Sequence, residues 1–301
     1  MNDPDIHTID LNFLGRSGTI GAYLIPHSNG AILVETGPCS TIDNLITGLR
    51  QFGYDVPNIT DVFLTHIHLD HAGTAGWWAK HGARIHVHEN GAPHLINPEK
   101  LLASAGRLYG DMMDTLWGEF LPVPEAKLSI IHDQEVTLVG NLSIRALDVP
   151  GHASHHLAYL VGDACFSGDI GGIRLNPRHY LSLPMPPPDF HLEKWRESIR
   201  YIQKFNPTRI IPTHFGVYPD ASWHLQAVLE ELDEIEEWIE AKLPLKLSLE
   251  DLRQQFIQFE HTRANKYGVE KTVVEAQQIA NPSFMSADGI FRYWNKYRQP
   301  S

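Results

Sequence analysis

The stretch Val62-Phe63-Leu64-Thr65-His66-Ile67-His68-Leu69-Asp70-His71 runs from an apolar start directly into three imidazoles and a carboxylate. The apolar start reads as a strand, and the polar end as the loop that follows it. Alternate residues of an extended segment project to one side, so His66 and His68 are placed to chelate a single ion, leaving Asp70 and His71 for a second. A lone histidine on an apolar face is ordinarily a hydrogen-bonded core residue. At this density, histidine and aspartate are instead the donors that a borderline divalent cation such as zinc prefers. Three more candidate donors stand in Pro150-Gly151-His152, Ser167-Gly168-Asp169 and Pro212-Thr213-His214, each just beyond an apolar segment. Donors on strand ends are held firmly.

With a His-x-His-x-Asp-His motif followed by single His, Asp and His residues in that order, the chain resembles the metallo-β-lactamase-fold hydrolases over roughly residues 10 to 220. The resemblance implies a first metal on His66, His68, His152 and Asp169. It implies a second on Asp70, His71, His214 and the same Asp169, acting as a bridge. The cofactor it implies is two zinc ions, with iron or manganese as alternatives on the same donors. Ions bridged in this way lie about 3.5 to 4 Å apart and share a water whose pKa falls toward neutrality. By that resemblance the hydroxide so formed would attack an electrophilic carbonyl or phosphorus. Asp70 is the candidate catalytic acid/base, because a carboxylate at the metals orients that water and receives its proton. The family usually carries an Asp-Thr-Gly turn where this chain reads Glu35-Thr36-Gly37, so Glu35 is expected to support the ligands from behind with a longer reach. His156 takes a similar supporting role, and His155 is open between roles.

The chain has 301 residues, of which 43% are apolar, enough for one large core with an appended subdomain or for two domains. A formal charge of -12 argues against a nucleic-acid partner, since phosphate recognition needs clustered lysine and arginine. Cys39 and Cys165 are too few for a disulfide framework or a thiolate cluster. The start, Met1-Asn2-Asp3-Pro4-Asp5, lacks the basic-then-apolar pattern of an export signal, and no apolar run is long enough to span a bilayer. A soluble cytoplasmic protein acting on a small molecule, with no membrane partner, is the expectation.

Strands are expected at 6–14, 23–25 and 31–34, followed by a helix from Ser40 with apolar positions Ile42, Leu45, Ile46, Leu49 and Phe52. Ser40 and Asp43 suit its start and Gly53 its end. A second strand set at 128–131, 135–139, 142–147, 157–161 and 164–166, separated by Gly-Asn and Gly-Asp turns, reads as an antiparallel meander. Strand and helix order permit, and the resemblance implies, an α/β fold: a four-layer αββα sandwich over 1–220 with a C-terminal helical subdomain over 221–301. Residues 90–124 form a helical insertion, with one helix expected over 98–117. Core packing is the default for its Leu, Met and aromatic residues, but a lid over the site would make Tyr109 and Trp117 substrate contacts. Arg174 and Tyr180, soon after Asp169, are further candidates through carboxylate pairing and through hydrogen bonding to an oxyanion. His86 and His88 lack the acidic neighbour and are read as structural. In the tail, Arg263, Lys266 and Tyr267 offer polar groups to substrate or a second subunit. Phe291, Tyr293, Trp294 and Tyr297 can dock on the sandwich or build a homodimer.

The leading function is a binuclear metal-dependent hydrolase of a small ester, lactone or thioester, similar to the glyoxalase II and lactonase branches. Two other classes use the same residues. One is an oxidoreductase like the mononuclear iron persulfide dioxygenases, with iron on two histidines and a carboxylate. The other is a noncatalytic module that merely holds metal. The presence of Asp70, His71 and His214 favours the hydrolase over the first, and a paired site sharing water favours it over the second, since structural zinc is closed by four protein ligands.

Overall fold

The computed structural model describes residues 3–175 and 179–299. Strands β1 (His7–Asp10), β2 (Gly21–His27) and β3 (Gly30–Val34) are antiparallel neighbours, and β4 (Ile59–Phe63), β5 (Arg84–His88) and β6 (Leu128–Ile131) extend the same sheet in parallel. Parallel neighbours require a crossover. Helix α1 (Ile42–Gln51) supplies the first, α2 (Leu69–Ala72) and α3 (Ala75–Lys80) the second, and α4 (Ala92–Ile96), α5 (Glu99–Tyr109) and α6 (Met113–Leu116) the third. In the second sheet β7 (Val136–Val139), β8 (Leu142–Asp148), β9 (Leu157–Val161) and β10 (Ala164–Phe166) are antiparallel. Helix α7 (Leu192–Gln203) then leads to β11 (Arg209–Ile211), which lies parallel to β10 at the edge. Helices α8 (Ala221–Lys242), α9 (Leu249–Lys266), α10 (Lys271–Ala280) and α11 (Ser283–Tyr293) complete the chain.

Side-chain alternation sorts the residues of both sheets into layers. Tyr23, Ile25, Ile32, Val34 and Phe63 face the space between the sheets, where they meet Tyr159 and Phe166. The intervening Ala22, Leu24, Ala31 and Leu33 pack outward against Leu45, Leu49 and Trp78 of α1 and α3. On the far side, Leu147, Ala158, Cys165 and Ile210 are covered by Trp195, Ile199, Leu225 and Val228 of α7 and α8. The result is the four-layer α/β sandwich. Leu252, Phe256, Ile290 and Tyr293 share that last core, so the C-terminal helices are packed on the sandwich rather than tethered to it. Among the described residues no helix is long and apolar enough to cross a membrane.

Three local expectations change. Residues 128–131 do not open the meander: entering after a helical crossover, they pair parallel to β5, and the meander begins at β7. Ser40 does not cap α1, which starts at Ile42 behind a tight turn over Cys39–Thr41; its Oγ donates to the Leu116 carbonyl at 2.6 Å, tying α1 to the insertion. The helix expected over 98–117 breaks at Gly110, whose φ of 51° and ψ of -130° end α5.

Arg263, offered above to substrate, is instead enclosed in the tail. It donates to both oxygens of Glu231 at 2.5 and 2.7 Å and to Glu234 at 2.6 Å, while Lys266 pairs with Glu234 at 3.3 Å. Arg263→Met would leave the Glu231 carboxylate buried without its cation. Unfolding free energy in urea is therefore expected to fall by about 3 kcal/mol. An unchanged midpoint would show that the pair contributes nothing.

Candidate metal centre

Every donor singled out in the sequence follows the carboxyl end of a strand. His66 and His68 follow β4 and lead into α2, whose first residues carry Asp70 and His71; His152 follows β8, Asp169 lies in the turn Gly168–Gly171 after β10, and His214 follows β11. Because the strands are fixed by the inter-sheet core, these loop residues are brought to one edge of the sandwich.

The donors form two trios around Asp169. In the first, His68 Nδ1 lies 2.9 Å from His66 Nε2 and 3.0 Å from His152 Nε2. In the second, Asp70 Oδ2 lies 3.5 Å from His71 Nε2 and 3.4 Å from His214 Nε2. Asp169 reaches both: Oδ1 is 3.2 Å from His71 Nε2 and 3.5 Å from His214 Nε2, and Oδ2 is 3.5 Å from His152 Nε2.

The far side of each ring shows what the near side presents. His152 Nδ1 faces the Pro184 carbonyl at 2.8 Å and His214 Nδ1 faces the Thr19 carbonyl at 2.8 Å. A carbonyl only accepts, so each Nδ1 carries a proton, and in the neutral ring each Nε2 turns a lone pair inward. Thr65 Oγ1 donates to Glu35 Oε1, which leaves it to accept from His66 Nδ1 at 3.0 Å and again exposes a lone pair on Nε2. Lone pairs gathered with two carboxylates repel one another unless a cation lies among them. Both nitrogens of His71 and Oδ1 of Asp169 are moreover buried without a hydrogen bond. The residues therefore fit a group of divalent cations. His66, His68 and His152 form one candidate set, Asp70, His71 and His214 another, and Asp169 stands between.

Electrostatics divide the two sets in the same way. Burial, then the neighbouring His152, pulls His68 down to about 4, and burial likewise holds His66 and His152 below the ordinary histidine range. Burial acts against the charged forms of His71 and His214 too, but Asp169 and Asp70 outweigh it and both are raised. Those histidines in turn hold Asp70 and Asp169 below the carboxylate range despite their burial. Both carboxylates are ionised at neutral pH.

Glu35 lies behind the ligands. Its φ of 65° is a left-handed conformation that costs a non-glycine residue roughly 1–2 kcal/mol. Its Oε1 accepts from Thr65 Oγ1 and, at 3.2 Å, from Thr213 Oγ1, and it lies 3.3 Å from His71 Nδ1, close enough to attract but not aligned for a hydrogen bond. One carboxylate thus orients His66 through Thr65 and draws on His71 directly. Glu35→Gln is expected to weaken zinc binding by about 10- to 100-fold, read by titration against a chromogenic chelator. Unaltered affinity would dissociate Glu35 from the centre. His156 supports the opposite side, where its Nε2 accepts from the backbone N–H groups of Asp169 and Ile170 at 3.2 and 3.3 Å.

A cavity of about 730 Å³ opens onto the donors and is lined by His68, Asp70, His152 and Asp169. Tyr109 and Trp117 both line it, and so do Leu101, Leu108, Met112 and Leu116, which the sequence reading assigned mainly to core. Trp117 is at the same time buried in the first core, with Leu101, Tyr109 and Leu116 packed against it, so these residues belong to both the core and the cavity wall. Arg174 and Tyr180 are not part of the lining. Arg174 is buried, forks onto Asp220 at 2.7 and 2.8 Å and stacks on Tyr218 and Trp223. Tyr180 packs against Ala264 and Val269. His86 bonds Asp61 at 2.8 Å and stacks on Phe63, as a structural histidine should. Sequence reasoning missed Thr65, Thr213 and the wall formed by residues 278–285 of the tail. The two threonines flank histidines of the motifs and were detectable there; nothing local marks the tail residues.

Residues 18–214 match the family model described as the metallo-beta-lactamase superfamily. A metallo-beta-lactamase fold-containing protein of Sulfurisphaera tokodaii is 27% identical over 160 residues, 52% of this chain and 60% of that relative's length. A hydroxyacylglutathione hydrolase of Methylobacterium sp. is 26% identical over 235 residues, 74% of this chain and 71% of its own. Among solved structures, an archaeal metallo-beta-lactamase superfamily protein from Sulfolobus tokodaii superposes with a TM-score of 0.65 at 17% identity, covering 96% of this chain and 99% of that one. A metallo-beta-lactamase family protein from Thermus thermophilus gives 0.64 at 20% identity, covering 97% and 93%. At those identities the structural likeness is one of fold.

Proposed function

The chain belongs to the metallo-beta-lactamase superfamily, and from that premise we propose that it is a binuclear metal-dependent hydrolase of an ester, lactone or thioester with an apolar arm. The observation that carries this reading is Asp169, whose two carboxylate oxygens face histidines of different candidate sets. Cations held by these residues would supply Lewis acidity to the substrate carbonyl and would lower the pKa of an attacking water. His66, His68 and His152 hold one side of the centre, and Asp70, His71 and His214 the other. Asp70 turns Oδ2 toward His71 and His214, leaving Oδ1 to take the proton of the attacking water.

The cavity narrows the substrate. Its walls from α5, α6 and the tail are largely apolar, and Lys100 is the single lysine or arginine in the lining among the described residues. A glutathione thioester brings carboxylates that one exposed lysine serves poorly, and Arg263 and Lys266 are engaged elsewhere. The reading therefore departs from the hydroxyacylglutathione hydrolases among the relatives and favours an acyl group flanked by hydrocarbon.

Protein purified without added metal is expected to carry two equivalents of metal by elemental analysis. It should cleave aryl esters, lactones or acyl thioesters, lose that activity on chelation and regain it with zinc. A single iron with oxygen consumption and no hydrolysis would replace this reading with an oxidoreductase.

A further inference from the structure

The loop 152–156 is clamped almost residue by residue. His152 Nδ1 bonds the Pro184 carbonyl, Ser154 donates from its N–H and Oγ to Asp189 Oδ2 at 3.1 and 2.6 Å, and Asn90 Nδ2 donates to the Ser154 carbonyl at 3.0 Å. His156 receives two backbone N–H groups. His155 differs from both other histidines in this loop. Its Nδ1 is enclosed without a hydrogen-bond partner and its Nε2 makes none to the described protein, although the residue is only 9% exposed. The ring is held all the same, stacked at 6.1 Å over His66 and set edge-on at 5.6 Å to His68.

The enclosed Nδ1 is a buried polar atom left unmet, and a phenyl or isobutyl group would fill the same space without that cost. His155 lines the cavity, so a partner can come from there. A neutral imidazole offers one donor and one acceptor. Polar Asn90, His94, Ser154 and Asp189 line the cavity together with His155, and apolar Leu101, Leu108, Met112, Leu116, Phe284 and Met285 line it as well. Resting on the hydrolase reading above, we infer that His155 is a substrate-binding residue that hydrogen-bonds a polar group carried a short way along the acyl chain from the scissile carbon. The substrate class is thus an acyl ester, lactone or thioester bearing a hydroxyl, carbonyl or amide near the reacting centre and an apolar remainder beyond it.

The test compares β-hydroxybutyryl and butyryl thioesters of one thiol on the wild type, His155→Phe and His155→Gln, with metal content measured for each. The wild type is expected to prefer the hydroxylated substrate. His155→Phe should lose that preference in kcat/KM by about tenfold or more, and His155→Gln should restore part of it. Titration of the metal-free protein with the matching unreactive thioethers gives a second readout: the hydroxylated analogue should bind His155→Phe more weakly, the plain one equally. An unchanged preference in His155→Phe, beside an active wild type, overturns the role of His155 and leaves the hydrolase standing. If the loaded wild type cleaves nothing, the hydrolase reading fails, and the thioether titration still decides whether His155 binds the polar group.

Discussion

Asp169→Ala is expected to reduce bound metal to less than one equivalent and to lower hydrolysis by about 1,000-fold or more, some 4 kcal/mol of transition-state stabilisation. Asp169 faces His71 and His214 with one oxygen and His152 with the other. Its loss would remove a carboxylate that faces histidines of both sets. Asp169→Glu keeps the charge but lengthens the arm within a site where Asp169 is almost fully enclosed, so it should recover metal better than activity. Elemental analysis and initial rates, taken on protein whose circular dichroism matches wild type, separate the two effects. Two full equivalents of metal in Asp169→Ala would refute the bridging role.

Gly151→Ala is expected to destabilise the protein by about 3 kcal/mol or more and to misplace His152. Gly151 adopts a φ of 145°, which side chains rarely tolerate, and a Cβ there would lie 2.4 Å from Trp195 Cα and 2.6 Å from Trp195 N. Those are backbone atoms inside α7, which cannot yield without lifting the helix from its core. The Gly151 carbonyl also accepts from His191 N at 2.8 Å, so the same shift would disturb the start of α7. Urea denaturation of the metal-free protein reads the stability, and a zinc titration reads the misplaced donor. A variant as stable as wild type with unaltered affinity would show that this approach is less tight than described.

The cluster of candidate donors was legible because imidazoles and carboxylates are conspicuous beyond apolar strands, and strand alternation likewise sorts Tyr23 from Leu24 and Ile32 from Leu33 into different layers. What stayed hidden is whatever depends on direction or on distant chain. Arg174 is close to Asp169 in sequence, yet its guanidinium turns to Asp220 and the rings of Tyr218 and Trp223. Residues 128–131 have the composition of a hairpin strand, but the helical crossover before them decides their partner. Ser40 has the chemistry of a helix cap and spends it on Leu116, a residue that comes near only after folding. The unmet ring of His155 is visible only once its neighbours' bonds are traced.

Part of the cavity wall descends from residues 278–285, well outside the 18–214 stretch that carries the donors. Inheritance can therefore rework one without the other. Grafting that far segment from a sister protein would reshape the cavity while every atom of the His/Asp cluster stays where it was.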